Sequence, residues 1–143
     1  MEKYVINKNT MYLKKEGNNL IIREDNKLLN VNSNILKVLD NSCILYGSSY
    51  KGRRDYVNTM LNYKYKNPIY INDDLIFFLI GNFRSNEFIL INVDKVLVIN
   101  KNIDNIVIKL INDIEINIDI SINSLYNLII KCILLKNIIN NSK

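Results

Sequence analysis

The sequence predicts an α+β fold of antiparallel sheets closed by a C-terminal helix, and three observations carry that prediction. Across residues 113–120 isoleucine alternates with Asp, Glu or Asn at every position, the period of a strand with one buried face. Leu125, Leu128, Ile129, Cys132, Ile133 and Ile139 follow helical spacing. Before them, short apolar runs are separated by Gly, Asn and Asp turns, without the alternating strands and helices that build a parallel sheet.

In chain order, Tyr4, Val5 and Ile6 and residues 10–14 are expected to be extended, and Gly17-Asn18-Asn19 turns the chain into residues 20–23 to make a hairpin. A turn at Asp25-Asn26 precedes Leu28 and Leu29. Ser33 is the expected cap of a short helix with Ile35, Leu36, Leu39 and Cys43 along one face, ended by Gly47. Residues 55–62 predict a brief second helix that turns Val57, Met60 and Leu61 inward and leaves Arg54 near its start. Pro68 forces extension. Residues 69–71, 75–80 and 88–91 then read as strands, separated by Asn72-Asp73 and by a polar loop over 81–86 with Arg84 at its tip.

Residues 92–99 suit a strand or a strand with a bend, and 105–111 with 114–120 form the clearest hairpin. Its acidic face, Asp113, Glu115 and Asp119, reads as a solvated strand surface that discourages edge pairing and repels polyanions. Ser121 or Ser124 caps the last helix, from which Lys131 and Lys136 are expected to point away. Leu134, Leu135 and Ile138 widen its apolar stripe beyond one face, as a dimer contact would. The later half is expected to have a pleckstrin-homology-like layout, which by itself says nothing of function.

With 143 residues and 48% hydrophobic content, the chain is expected to form one domain and to bury a core without metal or disulfide support. Asn and Ile occur 26 times each while Ala, Gln, His and Trp are absent, a bias attributed to an A/T-rich coding sequence. Lacking histidine, the protein offers no common zinc site and no Ser-His or Cys-His nucleophile, so no enzymatic role and no cofactor are expected. Cys43 and Cys132 read as buried free thiols in a reducing cytoplasm. No apolar run is read as a membrane span, because Lys131 and Lys136 interrupt the best candidate, and the chain is expected to be soluble.

Charge is concentrated in one place. Residues 42–66 hold Lys51, Arg53, Arg54, Lys64 and Lys66 against Asp55 alone, net +4 of the chain's +5. Five of the nine tyrosines fall in the same window, so flat rings and hydroxyls interleave with cations as a phosphate backbone requires. Gly47 and Gly52 are spaced like the start of a P-loop, yet Arg53 and Arg54 stand where Lys and Ser or Thr would be needed, so nucleotide hydrolysis is set aside. Asp73, Asp74 and Glu87 suggest a metal-dependent nuclease, but a turn dipeptide explains the aspartates more simply.

Ser42, Cys43, Gly47, Ser48, Ser49, Tyr50, Gly52 and Arg53 match the signature Ser-Cys-x-x-x-Gly-Ser-Ser-Tyr-x-Gly-Arg, by which the chain resembles the ComK competence transcription regulators of Gram-positive bacteria. The resemblance continues more weakly through Asn67-Pro68-Ile69-Tyr70-Ile71, the strand at 75–80, the Arg84 loop and the last helix, with little added by the first thirty residues. Phe88 stands near where many members have Trp.

The resemblance implies an activator that binds A/T-rich double-stranded DNA boxes largely from the minor groove, as homodimers that pair into higher oligomers, in the cytoplasm at the nucleoid. On that reading Gly47 and Gly52 shape the loop and Ser48 and Ser49 meet phosphate. Tyr50 stacks or hydrogen-bonds, and Arg53 enters a narrow A/T minor groove. Lys51, Arg54, Lys64 and Lys66 neutralise the backbone, and Arg84 is either a second contact or a solvated turn residue. The chain ends at Lys143 without the tail through which longer members reach an adaptor and a Clp protease, so that contact is not expected. The alternative from another class is a pleckstrin-homology-like protein-interaction module without DNA binding.

Overall fold

In the computed structural model, which describes residues 3–143, the N-terminal hairpin forms as β1 (Thr10–Glu16) and β2 (Asn19–Glu24), and β3 (Leu28–Val31) adds to β2. After two helices come β4 (Ile69–Asn72), β5 (Leu75–Gly81) and β6 (Glu87–Asn92), and β6 returns to pair antiparallel with β1. The six strands make one antiparallel sheet in the order β3-β2-β1-β6-β5-β4. A second sheet, β7 (Val96–Lys101), β8 (Ile106–Leu110) and β9 (Glu115–Ile118), is three-stranded. The expected pair of antiparallel sheets and closing helix are therefore present. The later half is not a unit of its own, because β6 is hydrogen-bonded into the strands of the first half.

β5 reads Leu-Ile-Phe-Phe-Leu-Ile because both of its faces are covered. Leu75 and Phe77 join Leu13, Ile22, Leu90 and the inner residues of the first helix, α1 (Ile35–Ile44), in one core. Ile76 and Phe78 join Met11 and Ile91 in a second, packed against the isoleucines of β8 and β9 and against the C-terminal helix, α3 (Ile122–Asn141). Asn92 accounts for the uncertain stretch at 92–99. Its buried amide donates to the Thr10 carbonyl at 3.0 Å and accepts from Asp94 N at 3.1 Å, so the chain turns through Val93–Lys95 between β6 and β7.

Several details differ from expectation for identifiable reasons. Asn34, not Ser33, caps α1, accepting from Leu36 N at 2.7 Å. The 3–4 spacing from Ile35 then selects Val38, Leu39, Ser42 and Cys43 for burial and leaves Leu36 in solvent. Ser121 caps α3. There Leu135 is buried and Ile133 exposed, together with Tyr126, Ile130 and Leu134. Lys131 and Lys136 do not point away: Lys136 pairs with Asp94, and Lys131 reaches the chain at Tyr65 and Lys66. With 20 residues and mean hydropathy 1.4, α3 has the length and composition of a membrane span, which its two lysines were expected to preclude. Core helices share those properties, and Leu125, Leu128, Cys132, Leu135 and Ile139 are buried in this one.

Candidate nucleic-acid interface

The stretch expected to be a glycine-hinged loop is the connection between two helices and the first turn of the second. Gly47 ends α1 as foreseen, with φ +86° that only glycine adopts freely and its amide donating to Ile44 O at 3.1 Å. Three residues later the chain is helical again, because Ser49 caps α2 (Tyr50–Leu61) by accepting from Gly52 N at 2.9 Å. The helix predicted from residue 55 thus begins five residues earlier, and Lys51, Gly52, Arg53 and Arg54 lie within it. Gly52 is no hinge. Its place in the turn is a matter of space, since a Cβ there would stand 2.8 Å from Ser48 Oγ and 3.2 Å from Ser49 Oγ.

Helical spacing separates the two arginines. Arg53 turns inward, where its guanidinium carbon sits 4.6 Å from the Tyr70 ring centroid, Nη2 donates to the Tyr46 carbonyl at 3.0 Å, and Nε is buried without a partner among the described residues. Arg54 is exposed beside the Tyr50 ring at 5.8 Å. Lys51 pairs with Asp55 at 2.9 Å, a bond that holds the Asp55 carboxyl below its ordinary range. Ser48 donates to the Ser49 carbonyl at 3.2 Å. Burial pushes the Tyr50 hydroxyl up, against the opposing pull of Arg54, so the ring remains neutral.

After α2, Asn62 takes a left-handed conformation (φ 53°) and residues 63–66 cross the surface as an irregular strap before Pro68 leads into β4. Lys66 is itself left-handed, with φ 52°. The Asn67 amide holds the strap's start, donating to Asn58 Oδ1 at 3.0 Å and to the Tyr63 carbonyl. The strap, α2, β4 and the β5–β6 loop enclose a cleft of about 660 Å³. Arg54, Lys64, Lys66 and Arg84 all line it, with Tyr50, Tyr65 and Phe83 supplying ring surface. Among the described residues, no carboxylate lines it.

Of the residues singled out from sequence, Tyr50, Arg54, Lys64, Lys66 and Arg84 are brought together, while Ser48, Ser49, Lys51, Gly52 and Arg53 lie outside the cleft. Asn58, Tyr65, Asn67, Asn82 and Phe83 also line it and were not among the expected DNA contacts. For Asn67 the signal was its place in the Asn67-Pro68-Ile69-Tyr70-Ile71 stretch, which in a chain with 26 asparagines did not mark it as a site residue. Asp73, considered above as a metal ligand, accepts the Tyr70 hydroxyl at 2.5 Å and faces Lys143 at 3.4 Å. That hydroxyl is the first reason its carboxyl lies below the ordinary range.

The family model described as ComK protein matches residues 1–143. The chain belongs to the ComK family. Its match takes in the N-terminal hairpin, to which the sequence resemblance did not extend. ComK proteins are competence transcription factors, a class without enzymatic activity. No curated protein and no solved structure matches the chain.

Proposed function

We propose that this ComK-family chain is a single-domain, DNA-binding transcriptional regulator of the cytoplasm and nucleoid that recognises A/T-rich boxes mainly from the minor groove. The observation that carries this reading is the cleft in which Arg54, Lys64, Lys66 and Arg84 converge from α2, the strap and the β5–β6 loop, with no carboxylate among its described lining residues. Four cations lining one cleft are a standing electrostatic cost that an anionic partner relieves. The cleft is far too small for a duplex and suits the phosphates of one strand. Arg54 and Arg84, both exposed, are the arginines free to follow a narrow, strongly negative A/T minor groove. Arg53 supports them from behind through Tyr46 and Tyr70. Lys51 joins by opening an exposed ion pair, which costs little.

A homo-oligomer contact on the outer face of α3 belongs to the same proposal, supported by Tyr126, Ile130, Ile133 and Leu134, each about half exposed. Ile130→Glu with Ile133→Glu should lower the sedimenting mass; unaltered assembly puts the contact elsewhere.

A gel-shift titration with an A/T-box duplex and a G/C control at two salt concentrations tests the function. The expected result is preference for the A/T duplex and, with the four cleft cations each displacing about one counterion, a log–log salt slope of about −3 to −4. Equal affinity for both duplexes overturns minor-groove A/T recognition. Absence of binding favours an interaction module.

A further inference from the structure

The strap at residues 63–66 carries two of the four cleft cations, yet it belongs to neither sheet nor helix and contains a lysine in the left-handed region. Something outside the strap must hold it. Asn67 fastens its start, and the other fastener comes from 65 residues further along the chain. Lys131, on α3, extends its ammonium to the Tyr65 carbonyl at 2.7 Å and the Lys66 carbonyl at 3.4 Å, 4.4 Å from the centroid of the Tyr63 ring.

The bonding of Lys131 is unlike that of its neighbour on the helix. Lys136 meets a carboxylate, whereas Lys131 has none among the described residues and spends its donors on the main chain. Burial and then the nearby Lys66 lower its pKa, so its charge is held there against some opposition. A groove of about 380 Å³ beside the cleft shares Tyr65, Lys66, Leu79 and Gly81 with it and has Lys131 in its wall, so the ammonium lies next to the candidate interface.

We propose that Lys131 is a positioning residue for DNA recognition: by clamping the Tyr65 and Lys66 carbonyls and covering Tyr63, it pre-shapes the strap so that Lys64 and Lys66 face the duplex. This rests on the DNA reading above. Pre-organisation of this kind saves the ordering cost of a loop on binding. A residue that acts this way changes affinity without changing the number of phosphates neutralised. A residue that touches phosphate changes both.

The test uses the full chain and three proteins, the parent, Lys131→Met and Lys131→Arg, in a salt titration with an A/T-box duplex and in amide hydrogen exchange without DNA. Lys131→Met is expected to weaken binding about tenfold with an unchanged salt slope, through lost pre-organisation. Lys131→Arg, which restores long donors and charge, recovers most of it. Exchange at Tyr63, the strap amide that donates to Asn58 O at 3.3 Å, speeds up in Lys131→Met while that of β5 and β6 does not. A slope that falls by about 0.9 makes Lys131 a phosphate contact and overturns the proposal, as does unchanged affinity. If the parent itself does not bind, the DNA reading fails first, and the exchange comparison then judges the clamp alone: unaltered strap exchange overturns it.

Discussion

Arg53 and Tyr70 form a stacked pair, with the guanidinium carbon 4.6 Å from the ring centroid, and the same side chain donates to the Tyr46 carbonyl at 3.0 Å. Tyr70 is buried in β4, so one residue of α2 ties the α1–α2 connection to the edge of the six-stranded sheet. Arg53→Ala is therefore expected to lose stability by about 1–2 kcal/mol, the combined scale of a partly desolvated cation–π contact and a hydrogen bond. Urea denaturation measures it. Full stability with lost DNA affinity would instead return Arg53 to a direct role at the duplex.

Arg84→Ala and Lys64→Ala remove exposed cleft cations that belong to no ion pair among the described residues. Each is expected to reduce the salt slope of DNA binding by about 0.9. Stability should stay within about 0.5 kcal/mol of the parent. A slope indifferent to both substitutions places the phosphates somewhere other than the cleft.

The adjacent serines differ in what they hold. Ser49 accepts the Gly52 amide as the cap of α2, so Ser49→Ala should cost about 1 kcal/mol. Ser48 makes one long bond to a neighbouring carbonyl, and Ser48→Ala should stay within about 0.5 kcal/mol. Thermal unfolding of the two variants separates them, and equal losses would deny Ser49 its capping role.

Alkali should destabilise the protein through its buried thiols and phenols. Burial pushes Cys43 up to about 11 and Cys132 up to about 12 from an ordinary 9.0, and burial likewise raises Tyr4 and Tyr70. The unfolded chain loses these protons first, so stability falls as pH rises from about 9 to about 12 and is fully present below that window. The urea midpoint should drop across this range, and native thiols should resist modification at pH 8. Rapid labelling of the folded chain at pH 8 contradicts the burial argument.

On the acid side Glu24 behaves in the opposite sense. Burial alone would raise its carboxyl, but the Tyr4 hydroxyl at 2.7 Å, the Asn7 amide at 3.1 Å and the Lys27 ammonium at 3.6 Å together outweigh burial and hold it below 4.5. Its contribution is present above pH 4.5 and is lost as pH falls through the lowered value. Glu24→Gln should flatten that acid limb in denaturation curves, and an unchanged limb would remove Glu24 from the acid transition.

Periodicity made β9, α3 and the strands around Pro68 legible, because an alternating or helical pattern states which face is buried without reference to a partner. It misplaced the start of α2 because Ser-Ser-Tyr-Lys-Gly-Arg-Arg has glycine and cations where an apolar stripe would announce a helix. The Ser49 cap supplies that signal at a single residue. Leu36 and Ile133 were assigned inward for a related reason: in a helix apolar on most sides, composition does not choose the buried stripe.

Taken alone, the chain's order of residues determined that cations and tyrosines crowd into one window, that strands pair antiparallel and that a helix closes them, since each of these is a local pattern. Tertiary structure alone decided which cations share a surface. Helical phase sent Arg53 onto Tyr70 and Arg54 outward, the β5–β6 loop delivered Arg84 from thirty residues beyond, and Lys131 met the strap across the fold. Such meetings depend on how sheet and helices pack, and no stretch of sequence short enough to read as a pattern contains both partners.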